Sequence, residues 1–137
     1  MKQSLHGTWE LVSRKTVMPD DRRICPLGPD AQGYINDSPD GFMFVHISSQ
    51  DRAPFQELDL FGGTPAEDSA SMKRHVSDAG RVIHSGDEVA HHVTHCSFPN
   101  WTGTQQRRNI EKLDDQTLVL SAHGAQIQGH RVTARLE

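Results

Sequence analysis

Between His91 and Leu113 the chain reads HHVTHCSFPNWTGTQQRRNIEKL. Histidines at 91, 92 and 95, then paired Gln and paired Arg, are the side chains best equipped for chemistry. What they can do depends on the backbone. On a helix, His91 and His95 would stack one turn apart and suit a metal. The β-branched Val89, Val93 and Thr94, followed by Pro99, argue for an extended chain instead. In a strand the two rings share a face but stand roughly 13 Å apart. Metal–nitrogen bonds of about 2 Å cannot span that. No metal site and no cofactor is therefore expected; haem or metal held by one histidine is a third-ranked reading resting only on the histidine count.

A hairpin gives a better constellation. With Gly86-Asp87 as a two-residue turn, Ser85 faces Glu88, His84 faces Val89 and Val82 faces His91. His84 and His91 then sit diagonally on one face with Val82, Val89, Val93 and His95. The other face carries Arg81, Ile83, Ser85, Glu88, Ala90, His92, Thr94 and Cys96, so the first, more apolar face is expected to point inward. Burial disfavours imidazolium, and a neutral imidazole can accept a proton. Cys96, on the opposite face, is not expected as a nucleophile.

The following stretch, 103–112, alternates Gly103, Gln105, Arg107, Asn109 and Glu111 on one face with Thr104, Gln106, Arg108 and Ile110 on the other. Inward Gln105 and Arg107 would offer fixed donors to a carbonyl, enolate or carboxylate. A buried Arg needs an anionic ligand or partner, and Glu111 or Asp37 would serve. The expected catalytic set is His91, Arg107 and His84. Expected pocket residues are Gln105, His95, His46, Phe44, Met43, Val93, Tyr34 and Trp101. Both alternating sets of 42–47 are apolar, so the sequence does not choose which lines the interior.

The elements that must position these groups are mostly strands. Trp9 and Leu11 alternate with Glu10; Gly33–Asn36 and Phe42–Ile47 flank the turn Ser38-Pro39-Asp40-Gly41, where Pro presets φ and Gly tolerates positive φ. Thr64-Pro65-Ala66-Glu67 is a capping box that predicts a short helix over about 65–77. Strands resume at 81–85, 88–97, 103–112, 116–121 and 129–135. About eight strands with one short helix suggest an antiparallel barrel or sandwich.

Composition narrows the classes. A chain of 137 residues fits one domain; residues 1–135 are assigned to it and Leu136-Glu137 is set aside as a cloning scar. A net charge of −4 gives no nucleic-acid footprint. No run reaches the ~20 apolar residues of a membrane helix, and the N-terminus has no secretory h-region. Two cysteines make no disulfide framework. A cytoplasmic monomer or homodimer is expected.

Gly7-Thr8-Trp9 resembles the Gly-x-Trp opening of lipocalins. Together with Gly33-Tyr34, Ser38-Pro39-Asp40-Gly41, Val89-x-His91-His92-Val93 and Phe98-Pro99-Asn100-Trp101-x-Gly103-x-Gln105-x-Arg107-Arg108, it is similar to the bacterial and fungal lipocalin-like domain family. The resemblance implies an all-β, single antiparallel lipocalin-like barrel with a pocket inside, wide enough for one small ligand. It also implies that Arg131 or Arg135 of the last strand packs over Trp9. It implies no single reaction. Two readings follow. The first is a cofactor-independent acid/base enzyme, of isomerase, cyclase or lyase type, acting on a small hydrophobic or aromatic metabolite. The alternative is a carrier or sensor that binds without turnover. Nine histidines against an aromatic content of 6% favour the first.

Overall fold

The computed structural model describes residues 4–127 and 130–136, with side chains described as far as Ala122. The strands are β1 (Gly7–Glu10), β2 (Arg14–Val17), β3 (Arg23–Ile24), β4 (Gln32–Asp37), β5 (Phe42–Ser48), β6 (His75–Ser85), β7 (Glu88–Cys96), β8 (Gln105–Leu113), β9 (Leu118–Ile127) and β10 (His130–Leu136). They form one antiparallel sheet in the order β1-β4-β5-β6-β7-β8-β9-β10-β2-β3. Only residues 11–13 separate β1 from β2. One stretch of chain therefore bonds β4 with its first half and β10 with its second. That shared stretch draws the two edges together into a nearly closed barrel with no long unpaired flank. With β1 and β2 counted as one stave and the two-residue β3 as a flap, the wall has the expected strand number.

The hairpins form where turn chemistry and alternation agree. At Ser38–Gly41, Gly41 takes φ +87 and donates its N–H to the Ser38 carbonyl at 3.0 Å. The Gly86-Asp87 turn sets Ser85 opposite Glu88, His84 opposite Val89 and Val82 opposite His91, the register read from the sequence. Helix α1 (Pro65–Met72) starts with the predicted capping box: the Glu67 N–H donates to Thr64 Oγ1, and the Thr64 N–H to the Glu67 carboxylate. It ends earlier than expected, because His75 and Val76 open β6 and pair with Ser48 and Ile47 of β5. With no buried residue, α1 lacks the apolar stripe that would hold a longer helix against the barrel.

Alternation is interrupted at the β6–β7 pair. The register shifts between Ala79 and Gly80, leaving Thr94 as an extra residue on β7. Upstream, Gly80 pairs with Val93; downstream, Ala79 pairs with His95 and Asp78 with Cys96. A Cβ on Gly80 would lie 1.9 Å from the His92 carbonyl oxygen, so the close approach requires glycine.

Hydrocarbon fills one end of the barrel. Leu5, Val89, Leu118 and Leu120 form a buried cluster, flanked by Trp9, Ile35, Val82, Ile110 and Leu113. The Trp9 indole N–H donates to the Leu5 carbonyl at 2.9 Å, tying the N-terminal segment across this floor. The side chains of Arg131 and Arg135, expected over Trp9, lie outside the described residues. Leu136, set aside on sequence grounds, is the last residue of β10 and pairs with Arg14 and Leu120; Glu137 is outside the described residues. No described helix is long and apolar enough to cross a membrane.

Candidate functional site

Register decides which side chains enter the barrel. Met43, Val45 and Ile47 pair with Asp37, Ile35 and Gly33, and Ile35 with Trp9. This set faces inward; Met43 is 0% exposed. Phe44, His46 and Tyr34 occupy the outer face, with Phe44 and Tyr34 both more than half exposed. His46 stacks there on His75, ring centroids 5.8 Å apart. Burial, then His75 and Arg52, lower the His46 pKa. Phe44 and His46 thus do not line the interior, contrary to their placement among the pocket residues, because the parity of β5 puts the odd-numbered side chains inside; Tyr34, on the outer face of β4, borders a small apolar pocket beside Trp9 and Ile35.

On β6 and β7 the inward set is Val76, Asp78, Gly80 and Val82, then Val89, His91 and Val93. His91 is 5% exposed. Its pKa falls to about 4, chiefly through burial and secondly through the Arg108 guanidinium. His91 and Val93 therefore stand where the sequence puts them. His84 shares the face but sits at the barrel rim, exposed, with Nε2 2.9 Å from the Gly86 carbonyl. The strand ends before the wall can cover it. His95 is also exposed, Nδ1 3.1 Å from Thr94 Oγ1. The extra Thr94 reverses parity for the last residues of β7. His95 turns outward and Cys96, expected outside, joins the face of Asp78. Burial raises the Cys96 pKa, and the Phe98 N–H partly offsets this; the thiol is protonated rather than primed for attack.

β8 corrects the expected donor pair. His91 pairs with Gln106 and Val89 with Arg108, so Gln106, Arg108 and Ile110 face inward. Gln105 and Arg107 face outward, where Arg107 forms an ion pair with Glu88. The two rims Glu88, Ala90, Gln105 and Arg107 bound an outer hollow, not the barrel. Asp37 and Glu111 do not neutralise Arg107 either. Asp37 lies within the influence of His6 and His84, with burial raising its pKa; Glu111 accepts a hydrogen bond from Ser121. The sequence held one cue to the true face of β8: Ile110, the apolar member of the alternating set, travels with Gln106 and Arg108.

The inner wall thus assembles Asp78 (β6), His91 (β7), Arg108 (β8) and Arg14 (β2). Arg108 donates to the Arg107 carbonyl at 2.9 Å, and its guanidinium carbon stands 5.8 Å from the Trp101 ring centroid. Trp101, on a single helical turn at 99–101 between β7 and β8, meets Phe98 edge-on. Its ring stacks over the guanidinium as a cation–π cover. Asp78 has its pKa raised to about 6 by burial, with Arg108 opposing. Its Oδ1 is buried and accepts no hydrogen bond from the described residues. Burial lowers the pKa of Arg108 while Asp78 raises it. Burial also lowers that of Arg14, aided by the like charge of Arg108. Thr16, two residues along the same face of β2, is 0% exposed and its hydroxyl has no partner among the described residues. Sequence reasoning missed Asp78, Arg14 and Thr16 because their strands were assigned elsewhere or left as loop.

A small apolar pocket, about 90 Å³, opens at the hydrocarbon-filled end between Trp9, Tyr34, Ile35, Val45, Ile47, Leu118 and Leu120. Among the described residues no three His, Cys, Asp or Glu side chains converge as a metal site would require. The pairing of a polar inner wall with an apolar floor suits one small amphipathic molecule.

Closed antiparallel walls around such an interior define a lipocalin-like barrel. The family model described as "Lipocalin-like domain" matches residues 6–136, so the chain belongs to the lipocalin-like domain family. Among solved structures, an uncharacterized protein from Bacteroides eggerthii DSM 20697 is similar at 13% identity and a TM-score of 0.46, covering 98% of this chain and 100% of that one. No curated protein matches the chain.

Proposed function

We propose that the barrel binds a small hydrophobic or aromatic metabolite and acts on it as a cofactor-independent acid/base enzyme of isomerase, cyclase or lyase type. The observation that carries this reading is the interior triad of Asp78, His91 and Arg108, drawn from three successive strands and electrostatically coupled. Asp78 titrates near 6, so at neutral pH it is an ionised carboxylate poorly solvated enough to accept a proton. His91 stays a neutral imidazole, able to donate a hydrogen bond to a substrate oxygen. Arg108 stabilises the negative charge that develops when a proton leaves carbon. Arg107 and His84, expected in these roles, face solvent and give way to Arg108 and Asp78.

The test follows proton abstraction directly. Ligand co-purified with the protein is identified by native mass spectrometry and then incubated with enzyme in deuterated water. Wild type is expected to exchange deuterium into the ligand; Asp78→Asn is expected to lower the exchange rate at least ~100-fold while still binding. Binding with no exchange by wild type would leave a carrier or sensor, the second reading, which the apolar pocket beside Leu118 and Leu120 favours.

A further inference from the structure

Around Arg14 and Arg108 the inner wall carries more positive than negative charge, because the other inward carboxylate, Asp37, is felt by His6 and His84 and by neither guanidinium. By register Arg14, through Leu136 and Leu120, shares the inner face of Ile110 and Arg108, and Arg14 stands near enough to feel Arg108, yet neither forms an ion pair among the described residues. The ion pairs described there, Arg22–Asp20, Arg74–Asp51, Arg107–Glu88 and Lys112–Asp114, involve solvent-accessible side chains. The described staves beyond carry no carboxylate: from Leu118 to Leu136 the sequence contains no Asp or Glu. Asp78 is the acidic group felt by Arg108, one carboxylate against two guanidiniums. Leaving a guanidinium buried and unpaired is costly, so the excess calls for an anion from outside. Thr16 adds a buried hydroxyl without a partner among the described residues, on the same strand face as Arg14.

We propose that Arg14 and Arg108 form a two-pronged clamp for the carboxylate, or an equivalent single negative group, of an amphipathic organic anion. Thr16 supplies a further hydrogen bond and the floor at Leu118 and Leu120 receives the apolar body. This rests on the reading of the barrel as a small-molecule site and names the class of molecule. The Trp101 ring over Arg108 holds that prong against the wall without consuming its charge. Guanidinium forks match carboxylate and sulfonate geometry, and charge-assisted bonds are about twice as strong as neutral ones.

Two fluorescent probes with one skeleton test it: anilinonaphthalene sulfonate, an anion, and phenylnaphthylamine, the same rings without the sulfonate. Both are titrated into wild type, Arg14→Met, Arg108→Met and the outer-face control Arg107→Met, with circular dichroism confirming each fold. Each inner substitution is expected to weaken the sulfonate at least ~10-fold and to leave the neutral probe within about twofold; the control changes neither. If the neutral probe binds and the sulfonate shows no dependence on Arg14 or Arg108, the clamp is overturned while barrel binding stands. If neither probe binds, the barrel-binding reading falls and the clamp with it.

Discussion

Arg107 and Arg108 are chemical twins on adjacent positions, and the pleat sends one into water and the other into the barrel. Arg107 meets Glu88 in a solvated pair, a type of contact worth little. Arg107→Ala is therefore expected to shift stability by no more than about 0.5 kcal/mol, read by urea denaturation. Asp78 and His91 make a sharper prediction because their titrations oppose each other. Asp78 has its folded pKa raised to about 6, so the native state holds its proton longer and stability falls as pH rises from about 4 to 6. His91 has its folded pKa lowered to about 4, so the unfolded chain binds the extra proton and stability rises over about 4 to 6.5. Each effect is on the order of 2–3 kcal/mol, and in wild type they largely cancel. His91→Gln should expose the fall with rising pH and Asp78→Asn the rise, measured by denaturant midpoints across that window. Parallel profiles in the two variants would contradict this account.

At the scale of elements, turns and caps were legible because each is written in a few consecutive residues. Ser38–Gly41, Gly86-Asp87 and the Thr64–Glu67 box needed no distant information. The end of α1 and the face of β8 were not legible, because both depend on partners far along the chain. Residues 75–76 become strand only through β5, and Gln106 faces inward only because it pairs with His91. The same logic sets two expectations. Thr64→Ala should speed amide exchange at Glu67, a local loss of about 1 kcal/mol, while scarcely moving the melting temperature, since α1 buries nothing. Gly80→Ala drives a methyl group into the His92 carbonyl. It should cost on the order of 3 kcal/mol or more, seen as a lower denaturant midpoint.

For the whole molecule, the period-two pattern and the hairpins foretold an antiparallel barrel or sandwich, and the resemblance to lipocalin-like domains chose the barrel. They did not foretell how it shuts. Residues 7–17 belong to both ends of the sheet, and no local pattern announces a stretch that changes neighbours midway. Leu5 holds the start of that stretch on the floor, within the buried cluster of Val89, Leu118 and Leu120. Leu5→Ala should destabilise the entire fold by about 2–4 kcal/mol rather than fray one terminus, detectable as a single cooperative shift in thermal unfolding.

Thr94 works like one surplus letter in a message read two at a time. Everything before it on β7 keeps its phase, and His95 and Cys96 after it are read in the other phase. Deleting that residue would close the bulge and leave Ala79 opposite His95 and Asp78 opposite Cys96, so the rim would keep its side chains and lose only its local bend. A relative could therefore lose this one residue and keep the same side chains at its entrance, although a strict two-residue count along the strand would assign them to the wrong faces.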